Sequence, residues 1–172
     1  MKTMHEIIFR PAQPQDMEAV MELVDAAMKE MSKKGIDQWD ELYPCQEDFL
    51  EDTERKEMYT GWIGQELASI YTVNQRFEEE YFKEEISWNF PEESAGCIHR
   101  LCVHPKFQGM GTGRRTLLDA QEKMRKMRWL SVRLDVFSKN PMAVHMYEKE
   151  GYEKKGSAVW RKGLFYLMEK KL

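Results

Sequence analysis

The chain has 172 residues, with 42% hydrophobic and 33% charged side chains and a formal net charge of −4 at pH 7. That length is expected to make a single domain over residues 1–172, and the balance excludes a disordered or fibrous protein. No apolar run approaches the roughly 20 residues that span a bilayer, so no membrane association is expected, and an acidic chain without a recognition motif is not expected to bind nucleic acid.

The first predicted strand is "EIIFRPA", ending at Pro11. Met17, Val20, Met21, Val24, Met28 and Met31 then recur at three- and four-residue spacing, which predicts an amphipathic helix with Pro14 at its start and Gly35 past its end. After "GIDQWDELYP" a short helix is expected around Gln46 to Arg55. "EMYTGWIGQELASIYTV" reads as a hairpin turning near Gly64 to Glu66. Residues 74–95 carry seven Glu against two basic residues without clear periodicity, which suggests an insertion or functional loop. "GCIHRLCV" is a buried-strand pattern leading into Pro105. Leu117, Leu118, Gln121, Met124 and Met127 mark a helix from Thr112 or Gly113 to about Met127. "SVRLDVF" alternates as a strand, "PMAVHMYEKE" reads as a helix closed by Gly151, and "YEKKGSAVW" and "LFYLMEKKL" are two final strands. The order predicts an α+β fold, a mixed sheet flanked by helices.

Cys45, Cys97 and Cys102 are odd in number and lack metal-ligand spacing. They are expected to be reduced core thiols of a cytoplasmic protein, and no metal is expected. Residues 104–133 hold eight Lys/Arg against two Asp/Glu. At the head of this basic segment, "QGMGTGRR" has three of the chain's 10 glycines within five positions. The spacing fits neither G-x-G-x-x-G nor the Gly-Lys-Ser/Thr end of a nucleoside-triphosphate loop. What remains is a strand, a tight glycine loop and a helix start, a good pyrophosphate cradle because unpaired amides and the helix dipole face one way. A sharp turn without a ligand is the alternative.

"VHPKFQGMGTG" resembles the Q/R-x-x-G-x-G/A signature of the GNAT superfamily of acyl-CoA-dependent N-acyltransferases, with Gln108, Gly111 and Gly113 at its fixed places. "LDVFSKNPMAVHMYEKEGYEKKG" resembles the family's following strand and helix, through Asn140, Ala143, Tyr147, Gly151 and Tyr152. The match runs roughly over residues 98–156. The resemblance implies a mostly antiparallel sheet, splayed at an acyl-CoA cleft, with acetyl-CoA as co-substrate. It implies that the backbone of Leu101, Cys102 and Val103 pairs with pantetheine. Gln108, Gly109, Met110, Gly111, Thr112, Gly113 and Arg114 would hold the pyrophosphate, and Asn140 and Tyr147 would lie toward the acyl-bearing end.

The reaction implied is attack of an amine on the thioester, which needs a neutral amine, a stabilised oxyanion and a proton for the thiolate. Tyr147 matches the family's general acid, with a buried core tyrosine as the alternative. His99 is a candidate base, and Glu92 and Glu93 lie further out. For the acceptor, Trp39 and Tyr43 could stack on it, Asp37 or Asp40 could bind its ammonium and Arg100 a carboxylate. Trp39 could equally plug the core. The acceptor is expected to be an amine of a small molecule or peptide. A catalytically silent acyl-CoA sensor and an interaction module using the acidic segment are the other readings. Edge strands of the last hairpin could pair two subunits.

Overall fold

A computed structural model describes residues 5–172. Its strands are β1 (Ile8–Pro11), β2 (Met58–Ile63), β3 (Glu66–Asn74), β4 (Ala95–Val103), β5 (Ser131–Phe137), β6 (Glu153–Trp160) and β7 (Gly163–Lys171). Four α-helices accompany them: α1 (Met17–Lys33), α2 (Gln46–Glu54), α3 (Thr112–Lys126) and α4 (Pro141–Lys149). The strands form one open, mostly antiparallel sheet in the order β1-β2-β3-β4-β5-β7-β6. The parallel ladder of β4 with β5 has three rungs, Ala95–Ser131, Gly96–Val132 and Cys97–Arg133, although β4 runs on to Val103 and β5 to Phe137. The mixed sheet and its helices agree with the pattern expected from sequence. No described helix is long and apolar enough to cross a membrane.

Two compact units are distinguished, Met1–Thr72 with Arg100–Ala120, and Val73–His99 with Gln121–Leu172. In the first, α1 buries Met17, Val20, Leu23, Val24 and Ala27 against Phe49, Met58, Leu67, Ile70 and Cys102. The helix is rotated slightly from the methionine stripe. Leu23 and Ala27 face inward, while Met21 and Met28 flank the core half-buried. Arg10 fixes the entry to α1 through a two-pronged pair with Asp16, at 2.7 and 2.8 Å.

In the second unit, residues 74–95 are packed rather than loose. Two 3-10 turns, Glu79–Phe82 and Glu92–Ser94, replace regular periodicity and turn the aromatic residues inward. Tyr81 is buried, donates to Asp135 at 2.7 Å and stacks on Trp88. Arg133, itself buried, lies 4.3 Å from the Trp88 ring centre and 5.0 Å from that of Phe77, and donates to Phe90 O at 2.7 Å. Glu169 accepts from the Asn89 amide at 2.7 Å. A Cβ on Gly156 would come within 2.3 Å of Ile86 Cδ1, so this glycine exists for close approach of the segment to β6. The glutamates at 78, 79, 84, 85, 92 and 93 remain on the outside.

At the end of α3, Leu117, Gln121 and Met124 are buried as the stripe predicts. Met127 lies one residue past the helix and is exposed, because the chain turns there toward β5.

Candidate active site

The chain leaves β4 through His104, whose amide donates to Ala68 O at 2.8 Å and whose Nδ1 accepts from the Lys106 amide at 3.1 Å. Pro105–Phe107 form a 3-10 turn with Phe107 buried, so the glycine loop starts from an anchored point. Gln108 folds back, Nε2 donating to Val103 O at 3.2 Å. Gly109 and Gly111 have φ of +72° and +78°, and a Cβ on either would meet nothing within 4 Å. Their need for glycine is therefore conformational, since a left-handed residue with a side chain costs about 1–2 kcal/mol. The space beyond them leaves the backbone approachable.

Helix α3 begins at once. Its first ladder bond is Arg115 N to Gly111 O at 3.0 Å, so the amides of Thr112 and Gly113 precede the ladder and face out of the helix start. Together with the dipole this gives roughly half a positive charge at the loop. The start is fixed from behind: Thr116 Oγ1 donates to Thr112 O and accepts from the Ser69 hydroxyl, both at 2.8 Å and buried. Arg114 is exposed at the first turn, and Met110 is half-buried. The Gln108–Arg114 stretch thus presents approachable backbone at a helix start that is braced from behind.

Arg100 belongs to the same unit. Its Nε and Nη2 bind the two oxygens of buried Asp52 at 2.9 and 2.7 Å, and its Nη1 donates to Tyr43 Oη at 2.9 Å. Burial works against the cation, but Tyr43 and Asp52 outweigh it and hold the Arg100 pKa above its ordinary value. Thr72 Oγ1 donates to Asp52 Oδ2 at 2.9 Å. Arg100, expected from sequence as a contact for an acceptor carboxylate, is thus engaged by the protein's own Asp52 and Tyr43. Trp39 is half-buried against the core, and Tyr43 is exposed on the loop between α1 and α2. Asp40 Oδ1 accepts the amides of Leu42 and Tyr43, shaping that loop, while Asp37 is exposed.

His99, Asn140 and Tyr147 lie in the second unit. His99 Nε2 is 2.8 Å from Asn74 Oδ1. The same oxygen accepts the Arg76 amide at 2.9 Å, which identifies it as the carbonyl end of the side chain. Nε2 is therefore the donor, and a neutral His99 keeps its basic lone pair on Nδ1. Asn140 caps α4, its Oδ1 accepting the Ala143 amide at 3.3 Å. Tyr147 is buried on α4, edge-on to Tyr152 with ring centres 5.6 Å apart. Burial, and then the charge of Asp135, push its phenol pKa up, so it holds its proton at neutral pH. Glu92 and Glu93 are exposed on a 3-10 turn.

The three cysteines are free. Burial alone pushes the Cys102 pKa up to about 12, and burial raises that of Cys97 too, so neither is a thiolate nucleophile at neutral pH. Among the described residues no cluster of His, Cys, Asp or Glu could hold a metal ion. Sequence reasoning missed Asn74, Asp52 and Thr72. For Asp52 a signal existed, an acid three residues after Phe49 on the buried face of α2. Asn74 carried none, since its partner is 25 residues away.

The sequence model of the acetyltransferase (GNAT) family matches residues 20–152. A GNAT-family acetyltransferase from Streptococcus agalactiae is 25% identical and superposes with a TM-score of 0.84, over 96% of this chain and 95% of that one. The PaiA N-acetyltransferase of Thermoplasma acidophilum, solved with coenzyme A, gives 0.73 at 18% identity over 97% and 99% of the two chains. The yncA protein of Salmonella typhimurium, solved with acetyl-CoA as its cofactor, gives 0.70 at 15% identity over 96% and 94%. No curated protein sequence matches.

Proposed function

Because the chain belongs to the acetyltransferase (GNAT) family, we propose that it moves an acetyl group from acetyl-CoA to a primary amine of a small molecule or peptide, working as one catalytic domain. The observation that carries the cofactor assignment is the cradle. Gly109 and Gly111 hold left-handed backbone with open space above them, directly before the α3 helix start. The amides from Gln108 to Arg114 are assigned to the pyrophosphate, where helix-start donors and dipole favour an anion. The backbone of Leu101, Cys102 and Val103 is assigned to pantetheine. CoA-bound solved proteins of the same fold support both assignments. The free thiols suit the cytoplasm.

The chemistry follows from the assigned groups. The amine nitrogen attacks the thioester carbon, a C–N bond forms, and the carbonyl becomes an oxyanion that a backbone N–H near Leu101 to Val103 can stabilise. Collapse breaks the C–S bond, and Tyr147 Oη gives its proton to the leaving thiolate. A phenol with raised pKa is well stocked with that proton at neutral pH, and solvent can reload it. His99, with its basic lone pair on Nδ1, is assigned the proton that the amine nitrogen loses as the C–N bond forms. Asn140 is assigned to the pantetheine end in addition to its capping bond. The acceptor is placed beside the loop carrying Trp39 and Tyr43. Seven glutamates among residues 74–95, six of them outward-facing, favour a cationic amine.

The test is a panel of amines incubated with acetyl-CoA, with thiol release followed and products identified by mass spectrometry. Turnover on at least one amine is expected. Tight acetyl-CoA binding with no turnover on any amine would identify an acyl-CoA sensor instead. Tyr147→Phe should lower kcat by about 100-fold, with acetyl-CoA affinity within about 2-fold of the parent by calorimetry. Full activity would remove Tyr147 from the mechanism.

A further inference from the structure

We infer that Arg100 is a positioning residue, whose guanidinium, latched to Asp52 and Tyr43, holds β4 in the left-handed kink that aims Leu101 to Val103. The inference deepens the reading of that segment as the acyl-CoA strand, and rests on it. Arg100 has φ of +52° in the middle of β4, a conformation that a residue with a Cβ keeps only when its surroundings impose it. The groups that impose it form one connected set. The fork of Arg100 meets both oxygens of Asp52, and Nη1 reaches Tyr43 Oη. The Arg100 guanidinium carbon also lies 5.8 Å from the centre of the Tyr43 ring.

The far side of the latch is equally fixed. Asp52 is 2% exposed and accepts from Thr72 as well, so α2 and β3 brace the carboxylate that braces the strand. Asp52 also neutralises the arginine. Three of its five N–H groups are engaged by the protein's own groups, with the Nε/Nη2 fork that would grip an acceptor carboxylate already closed on Asp52.

The consequence runs through the backbone. The φ of Arg100 sets how the peptide entering Leu101 faces relative to the one before it. Without the latch, the residue relaxes toward ordinary extended geometry and that peptide turns. The side chain then acts on acyl transfer without touching either substrate.

A pair of substitutions separates this from acceptor binding. Arg100→Ala loses the latch while its Cβ still disfavours the left-handed turn, so the strand relaxes, whereas Arg100→Gly loses the latch but tolerates that turn. Each is assayed well below its own melting temperature, with acetyl-CoA and whichever amine of the panel turns over best. The alanine variant should lose about 10-fold in kcat with the amine KM within about 2-fold, and the glycine variant should return to within about 3-fold of the parent. Equal losses in the two variants, or a raised amine KM at unchanged kcat, would overturn the inference.

A second measurement needs no turnover. Hydrogen exchange on the free protein should show the Leu101 and Cys102 amides exchanging about 5-fold faster or more in Asp52→Asn, which weakens the fork without altering the strand. Arg100→Lys, which keeps the charge but not the fork, should do the same and serves if Asp52→Asn does not fold. Unchanged exchange overturns the latch. Faster exchange alongside a silent amine panel supports the latch and counts against the acyl-transfer reading alone.

Discussion

The glycine loop at 108–113 and the acidic segment at 74–95 look alike in sequence, and they are opposite in structure. Both are irregular stretches beside β4, the acidic segment before it and the loop between it and α3. The loop is open above its backbone, with two left-handed glycines that no protein atom crowds. The acidic segment is filled, with Tyr81 and Ile86 buried and Trp88 and Phe77 flanking Arg133. The difference lies in what each segment's non-polar atoms can do. The segment brings its own aromatic residues and gains order by burying them, whereas the loop between Gln108 and Gly113 has no aromatic residue and only Met110 as a large apolar one. Irregular sequence does not by itself mean mobile chain.

The comparison is broken first by Trp88→Ala. Removing a ring that stacks on Tyr81, covers Arg133 and donates to Tyr81 O at 2.7 Å should cost about 3 kcal/mol of stability, read as a lower melting temperature. A change under about 0.5 kcal/mol would show that the segment is not anchored as described. Next comes Gly111→Val in the loop. A branched Cβ in a left-handed residue, standing where the phosphates approach, should weaken acetyl-CoA binding about 30-fold or more in calorimetry. Unchanged affinity would sink the cradle.

A smaller effect concerns pH. Tyr147 has its folded pKa raised by burial, so its contribution to stability is complete below the unfolded value of about 10 and is lost as pH rises through the folded value. Its proton should therefore cause no loss of kcat on the alkaline side below about pH 10, and the melting temperature should fall above that pH less steeply in Tyr147→Phe than in the parent. An alkaline fall in kcat near pH 8 that vanishes in Tyr147→Phe would contradict the raised pKa. The smallest expected change is Glu84→Gln with Glu85→Gln on the exposed face of the segment. Stability should move by less than about 0.5 kcal/mol. The KM of a cationic amine should rise while that of a neutral one holds, and equal KM values for both would remove charge from acceptor choice.

Much of this protein was legible without coordinates. The apolar stripes of α1 and α3, the hairpin at Gly64 and the strand–glycine loop–helix unit follow from local periodicity and turn chemistry, which act over a few residues. The pairings were not legible. His99 with Asn74, Arg100 with Asp52 and Tyr43, and Arg133 with Trp88 and Phe77 join residues 25 to 57 positions apart. Arg100 reads in sequence as a strand arginine open to an acceptor carboxylate because period-two alternation assumes regular φ, and its value of +52° breaks that assumption.

By itself, then, the sequence determined the element order, the sheet class, the strand–glycine loop–helix unit and the family, because these depend on neighbours along the chain. Tertiary structure alone decided which way Arg100 is spent, which nitrogen of His99 is basic and that the acidic stretch is anchored. Each of those depends on which distant groups arrive within hydrogen-bond reach, and no local pattern encodes that meeting.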